Sequence, residues 1–320
     1  MIRLAAAAVH KWDEPTLTYI KQLGVDEVII HTPDLPGAEK GRWDYMGLVH
    51  LRSTVEDAGL KIAAIENVPR TFYDKAVLGL PGRDEQIENY QTIVRNVAAA
   101  GIPILGLNFH PSGVWRTSRT TRTRGGAHVT SFDGALVASA PPTHGRVITA
   151  DEMWANWTYF IKAVVPVAEE VGLKLALHPD DPPVPMLGGS AQLMVSFENF
   201  KRALEIADSD ALGLNFCQGC WTEMGGPLEE YIRYWASRGK IRYVHFRNVR
   251  GTVPAFDETF INAGDVNMFK MLKVYRDAGF DGFIVDDHVP HVIDDTPWGH
   301  RSRAYAMGYI QALLDVLAQL

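Results

Sequence analysis

Short apolar runs alternate with longer stretches of helical spacing along this chain, and the alternation is completed eight times. Arg3–Val9, Glu27–His31, Lys61–Ile65, Pro103–Phe109, Leu173–Leu177, Ala211–Phe216, Ile241–Phe246 and Gly282–Val285 read as buried strands. Helical spacing occupies Glu14–Leu23, Trp43–Gly59, Arg83–Ala100, Asp151–Gly172, Ser196–Ala207, Leu228–Ser237, Val266–Ala278 and Arg301–Leu320. A parallel strand needs a crossover to return, and strands that are apolar throughout need cover on both faces, so this order implies a parallel sheet wrapped in helices. Eight units in 320 residues predict an α/β fold of the (β/α)8 TIM-barrel type, one domain over 1–320.

The rhythm breaks once. Residues 112–150 are rich in Ser, Thr, Gly and Pro and carry Arg116, Arg119, Arg122 and Arg124. A span this long without a pattern of its own, following the fourth strand on the side where barrel sites lie, is predicted to be a lid insertion. At 47% apolar and 22% charged residues, the rest can form a packed core. A net charge of −7 excludes a general nucleic-acid binder, which needs a basic face. No apolar run is long enough to span a membrane and no signal-peptide pattern opens the chain, so a cytoplasmic protein is expected.

Four of the later strands end alike. Leu177 is followed by His178-Pro179-Asp180-Asp181-Pro182-Pro183, Phe216 by Cys217, Val244 by His245, and Val285 by Asp286-Asp287-His288. Barrel closure makes strand C-termini converge, so His178, Cys217, His245 and Asp287 can meet although they are far apart in sequence. Two imidazoles, a thiolate and a carboxylate suit manganese, iron or zinc rather than magnesium or calcium. Cys220 makes a C-x-x-C with Cys217, but no second such pair exists to complete a structural zinc site.

Other candidates each have a plainer reading. Asp180 and Asp181 either orient the ligands or form an acidic turn. His110 and Trp115 either bind substrate at the barrel mouth or pack under a loop. Arg116 and its neighbours either grip a carboxylate by bidentate pairing or are solvated. Glu66, at the end of the third strand, is a candidate base or ligand.

At these residues the chain resembles the mannonate dehydratase family of xylose-isomerase-like, metal-dependent barrels. The resemblance rests on H-P-D-D-P-P at 178–183 with Pro185 and Leu187-Gly188, Cys217 with Gly219, and His245 with Arg247. It continues in Asn262-x-Gly264-Asp265-Val266 and in Asp287-His288 with Asp294-Asp295, and upstream in Glu66 with Val68-Pro69, Asn89-Tyr90 with Arg95-Asn96, and Asn108-Phe109 with Trp115. It implies His178, Cys217, His245 and Asp287 as metal ligands, with manganese first and iron or zinc as alternatives. It also implies Asp287 in proton transfer; His288 is a further catalytic candidate, and Glu66, Asn108, His110, Trp115, Arg116, Asp180 and Arg247 are expected around the substrate. The reaction implied is loss of water from a sugar acid: a base takes the proton next to the carboxylate and an acid protonates the departing 3-hydroxyl.

The chain departs from the family in several places. It is shorter, mostly in the lid region; the W-Y-G segment after the first strand is absent; and the paired histidines after the second strand become His31-Thr32-Pro33. The catalytic tyrosine of an N-P-G-Y motif corresponds to His300 in Pro297-Trp298-Gly299-His300, and a nearby arginine to Tyr305. His300 is therefore expected to be an acid-base residue, the plainer reading being a residue at the start of the last helix. A metal-dependent lyase on a sugar acid leads, with a sugar isomerase or epimerase and a non-catalytic metal or sugar binder as alternatives. The expected partner is the small-molecule acid, with a homo-oligomer allowed and no nucleic acid or membrane.

Overall fold

The computed structural model describes residues 1–320. Eight parallel strands close into a barrel in sequential order: β1 (Arg3–Val9), β2 (Glu27–His31), β3 (Lys61–Glu66), β4 (Ile104–Leu107), β5 (Lys174–Leu177), β6 (Leu212–Cys217), β7 (Ile241–His245) and β8 (Phe283–Val285). The helices that cover it are α1 (Glu14–Gln22), α2 (Tyr45–Asp57), α3 (Arg83–Ala99), α4 (Ala150–Val171), α5 (Phe197–Ala207), α6 (Leu228–Ala236), α7 (Met268–Asp277) and α8 (His300–Leu317). The strand-helix alternation in the sequence thus marks the elements, because each strand has a buried, mostly apolar interior and the helices bury one stripe.

Local chemistry sets the boundaries. Thr149 and Glu152 form a reciprocal capping box at the start of α4, and Gly172 at φ 70° ends it in the left-handed conformation. Ser196 and Asn267 cap α5 and α7 with their side chains. Most of the core lies between strands and helices, whereas Ala5, Ala7, Ala63, Ala64 and Ala176 form a smaller cluster with Tyr243 and Phe283, whose rings stack at 5.3 Å. Small residues on neighbouring strands leave room for those two rings beneath the mouth.

Residues 112–150 are not structureless. Ser118–Arg122 and His128–Asp133 pair antiparallel, and the second strand continues onto a hairpin of Val249–Thr252 and Ala255–Glu258, giving a four-stranded antiparallel sheet. Phe132, Leu187 and Phe256 make a small apolar core here, with Trp115 packed against it. The chain must come close at Gly188, where a Cβ would stand 2.2 Å from Thr143 Oγ1 and 2.9 Å from the Trp115 ring. The insertion is therefore joined by backbone hydrogen bonds to the segment that follows β7. No helix is long and apolar enough to cross a membrane.

Candidate metal centre and adjoining cleft

Strand register assembles the centre. Cys217 on β6 pairs with His245 on β7, and His245 pairs with Val285 on β8, two residues before Asp287. Leu177 on β5 pairs with Leu214 on β6, so His178 leaves its strand at the same rim. Asp287 has φ 53°, an uncommon value for a residue with a side chain. Its neighbour Asp286 points elsewhere, pairing with Arg303 of α8 at 2.8 Å, and Arg303 also donates to the Asp287 carbonyl at 2.9 Å.

Ligand atoms of Cys217, His245 and Asp287 lie within 4.8 Å of one another, as do those of His178, Cys217 and Cys220. The His178 and His245 rings are 5.1 Å apart. His245 Nε2 is 2.8 Å from Glu66 Oε2, while its Nδ1 is buried without a hydrogen bond and 3.5 Å from Asp287 Oδ2. An imidazole held at one nitrogen by a carboxylate, with the other nitrogen bare beside a thiol and a carboxylate, fits a first-row divalent cation.

The charge states agree with that fit. Burial disfavours a Cys217 thiolate, yet hydrogen bonding from Cys220 and the Arg247 charge hold this thiol well below its ordinary range, with His178 and His245 adding to the effect. Asp287 is likewise held well below the usual carboxylate range, burial being outweighed by His288, His245 and Arg247. Cys220 goes the other way: burial and the neighbouring Cys217, Asp181 and Glu223 push it well up, and its sulfur accepts from Arg247 Nη2 at 3.2 Å.

Several residues expected around the substrate are engaged within the protein. Arg247 is 3% exposed and contacts Asp287, Glu223 and Asp181. Arg116 grips both oxygens of Asp181 at 2.7 and 2.8 Å and also reaches Glu258 at 2.8 Å. Neither guanidinium is free, because each was buried together with its carboxylates. The Asp180 carboxylate accepts from the Met194 backbone N–H at 2.7 Å, and burial lifts its pKa to about 6; it shapes the loop. Trp115 donates to the Ser112 carbonyl and packs on the insertion core. Glu66 is a support for His245.

Asn108 and His110 stay open, with Asn108 Oδ1 and His110 Nδ1 both buried and unpartnered. Burial, then the Arg70 and His178 charges, press the His110 pKa down to about 3, so its ring is neutral. His288 is 44% exposed; its Nδ1 lies 2.5 Å from Glu258 Oε1 and its Nε2 3.7 Å from Asp287 Oδ1. His300 is not brought to this group. As the first residue of α8 it bonds Thr296 Oγ1 at 2.6 Å, and its ring packs on Tyr19 and Trp298.

Glu258 and Glu223 were not anticipated from the sequence. Glu258 ends a four-residue strand whose alternation is too short to stand out, and Glu223 sits in the short helix Gln218–Glu223 after Cys217. Beside the centre, Arg116, Arg119, Glu258, His288, Trp298 and Arg303 line a cleft of about 370 Å³ between the insertion and the β8–α8 connection.

A sequence profile described as D-mannonate dehydratase (UxuA) matches residues 6–145 and 143–320. Mannonate dehydratase 2 of Halalkalibacterium halodurans is 31% identical over 320 aligned residues, covering 91% of this chain and 90% of that protein. The mannonate dehydratase of Thermotoga maritima is 32% identical over 331, covering 92% and 89%. The crystal structure of mannonate dehydratase from Streptococcus suis serotype 2 superposes with a TM-score of 0.89 at 31% identity, covering 98% of this chain and 93% of that one. An L-ribulose 3-epimerase structure matches at a TM-score of 0.62 and 15% identity, covering 100% and 96%, which shows shared fold alone.

Proposed function

The chain belongs to the D-mannonate dehydratase family, and on that premise we propose that it is a metal-dependent hydro-lyase removing water from a sugar acid, D-mannonate being the first substrate to test. His178, Cys217, His245 and Asp287 would hold the ion, manganese by family resemblance, with iron or zinc as alternatives that suit a thiolate donor. An ion held there would supply stabilisation of the negative charge on the substrate carboxylate. The observation that carries this reading is the continuity of the Cys217–His245–Asp287 group with the cleft through His288.

The protein's own groups divide the proton work. Asp287 Oδ2 faces His245 and Arg247, leaving Oδ1 toward His288. Oδ1 takes the proton next to the substrate carboxylate. Glu258 holds His288 by Nδ1 and leaves Nε2 to protonate the departing 3-hydroxyl, which leaves as water. Glu66 fixes the His245 ring. The insertion sheet forms the outer wall of the cleft. The unpaired, buried cysteines suit a reducing cytoplasmic location.

The test is product mass. Metal-reconstituted protein incubated with D-mannonate, D-gluconate and D-galactonate should yield a product lighter by one water. A product of unchanged mass would instead establish isomerisation or epimerisation, and bound metal with no product across a broad sugar-acid panel would support a non-catalytic binder.

A further inference from the structure

We propose that Arg119 is the anchor for the carboxylate of the substrate and thereby the residue that selects sugar acids over neutral sugars; this rests on the sugar-acid reading above. Besides the charge the metal would supply, a carboxylate entering the cleft calls for a cationic side chain that is not already neutralised. Arg116 is committed to Asp181 and Glu258, and Arg303 to Asp286. His288 is paired with Glu258, the one carboxylate among the residues lining the cleft. Arg119 lines the same cleft, is exposed, and has no carboxylate of the protein as a partner.

Backbone irregularity is a second observation. Ser118 pairs with Ser131 and Thr121 with Val129, so the ladder loses its even register across Arg119 and Thr120. An irregularity of this kind re-aims a side chain relative to the regular pleat, and here it occurs at the arginine that reaches the cleft. Thr120 N–H bonds the Ser118 hydroxyl at 3.2 Å, giving the displaced backbone a local partner. A guanidinium offers two parallel donors to a carboxylate, a geometry that a hydroxymethyl group cannot match. Arg119 is carried by the insertion sheet and His288 by the β8–α8 connection, and both line this cleft. Arg119 would thus share the acid end of the substrate with the metal, while His288 addresses its leaving hydroxyl.

The experiment measures binding and turnover separately on metal-loaded parent protein, Arg119→Ala, Arg119→Lys, and Arg122→Ala as a control on the same strand. Calorimetric Kd values are taken for D-mannonate and for D-mannitol, which lacks the carboxylate. Arg119→Ala should weaken D-mannonate binding by about tenfold to a hundredfold, as loss of a charge-assisted bidentate pair predicts. Metal content should not change, Arg119→Lys should recover part of the loss, and Arg122→Ala should match the parent. The preference for mannonate over mannitol should collapse in Arg119→Ala. Binding within twofold of the parent in Arg119→Ala overturns the assignment, even if the parent dehydrates mannonate. Binding that depends on Arg119 without turnover by the parent keeps the anchor and removes the dehydratase reading. A parent that neither binds nor turns over mannonate, gluconate or galactonate overturns both.

Discussion

Arg247 Nε lies 2.8 Å from Asp287 Oδ2, close enough for an ion pair although not aligned for a hydrogen bond, while its other nitrogens reach Glu223 at 2.8 Å and Asp181 at 3.1 Å. One buried guanidinium thus links the candidate metal centre to the carboxylate that Arg116 of the insertion also holds. Orientation of Asp287 and docking of the insertion share a single electrostatic support. Removing one member of such a group leaves buried charge uncompensated, which costs more than the pair contributes when intact.

Cys217→Ser should lose bound metal while Cys220→Ser keeps it. Cys217 is the thiol held toward its ionised form, and Cys220 is pushed toward its neutral one. Metal analysis after dialysis reads the difference. Equal loss in both variants would establish a two-cysteine chelate, which the shared proximity of His178, Cys217 and Cys220 also permits.

His288→Gln should reduce kcat on the sugar acid by about a hundredfold or more with metal retained, the range for a lost general acid. His300→Gln should leave kcat within a few-fold of the parent, because the His300 ring is held by Thr296, Tyr19 and Trp298. Steady-state rates on both variants decide it. The reverse order of effects would return the acid-base role to His300, where the family resemblance had put it.

Burial raises the Glu223 pKa to about 8, only partly offset by Arg247. A carboxyl that binds its proton more tightly when folded favours the folded state at low pH. Stability from this source falls as pH rises from the ordinary carboxylate range to about 8, and levels off above it. Glu223→Gln should flatten that decline, so the gap between variant and parent melting temperatures should shift in favour of the variant between about pH 5 and pH 8. Parallel profiles would show that Glu223 ionises normally.

Arg116→Ala should destabilise the protein by roughly 3 to 5 kcal/mol, as expected when one partner of a buried ion pair is removed. It should also open the strands Ser118–Arg122 and His128–Asp133 to protease, since Arg116 is what joins the start of the insertion to Asp181 and Glu258. Limited proteolysis with and without D-mannonate tests whether the segment also moves. Protection by substrate in the parent would identify it as a closing lid.

Much of the barrel was legible because its signals are local. The strands ending in His178, Cys217, His245 and Asp287 are short apolar runs, and a closed parallel barrel has only one rim at which such endings can gather. Pattern and closure bring these strand ends to one rim, and the family resemblance is what marks the four residues as ligand candidates. The insertion sheet was not legible, since its strands are polar and short and one neighbour lies more than a hundred residues away, in the hairpin after β7. Pairing at that distance leaves no periodic mark in either segment.

The sequence by itself determined the strand-helix order and the rim at which Cys217, His245 and Asp287 gather, because propensity, apolar period and barrel closure act residue by residue. Only the tertiary structure decided which charged groups remain available. Arg116 and Arg247 look identical to Arg119 in the sequence, yet two are buried against Asp181 and its neighbours while the third is not. Asp286 and Asp287 are adjacent and alike, yet a backbone at φ 53° leaves one facing Arg303 and the other facing His245. A charge's role depends on which opposite charge is buried with it, and that partner comes from another part of the chain.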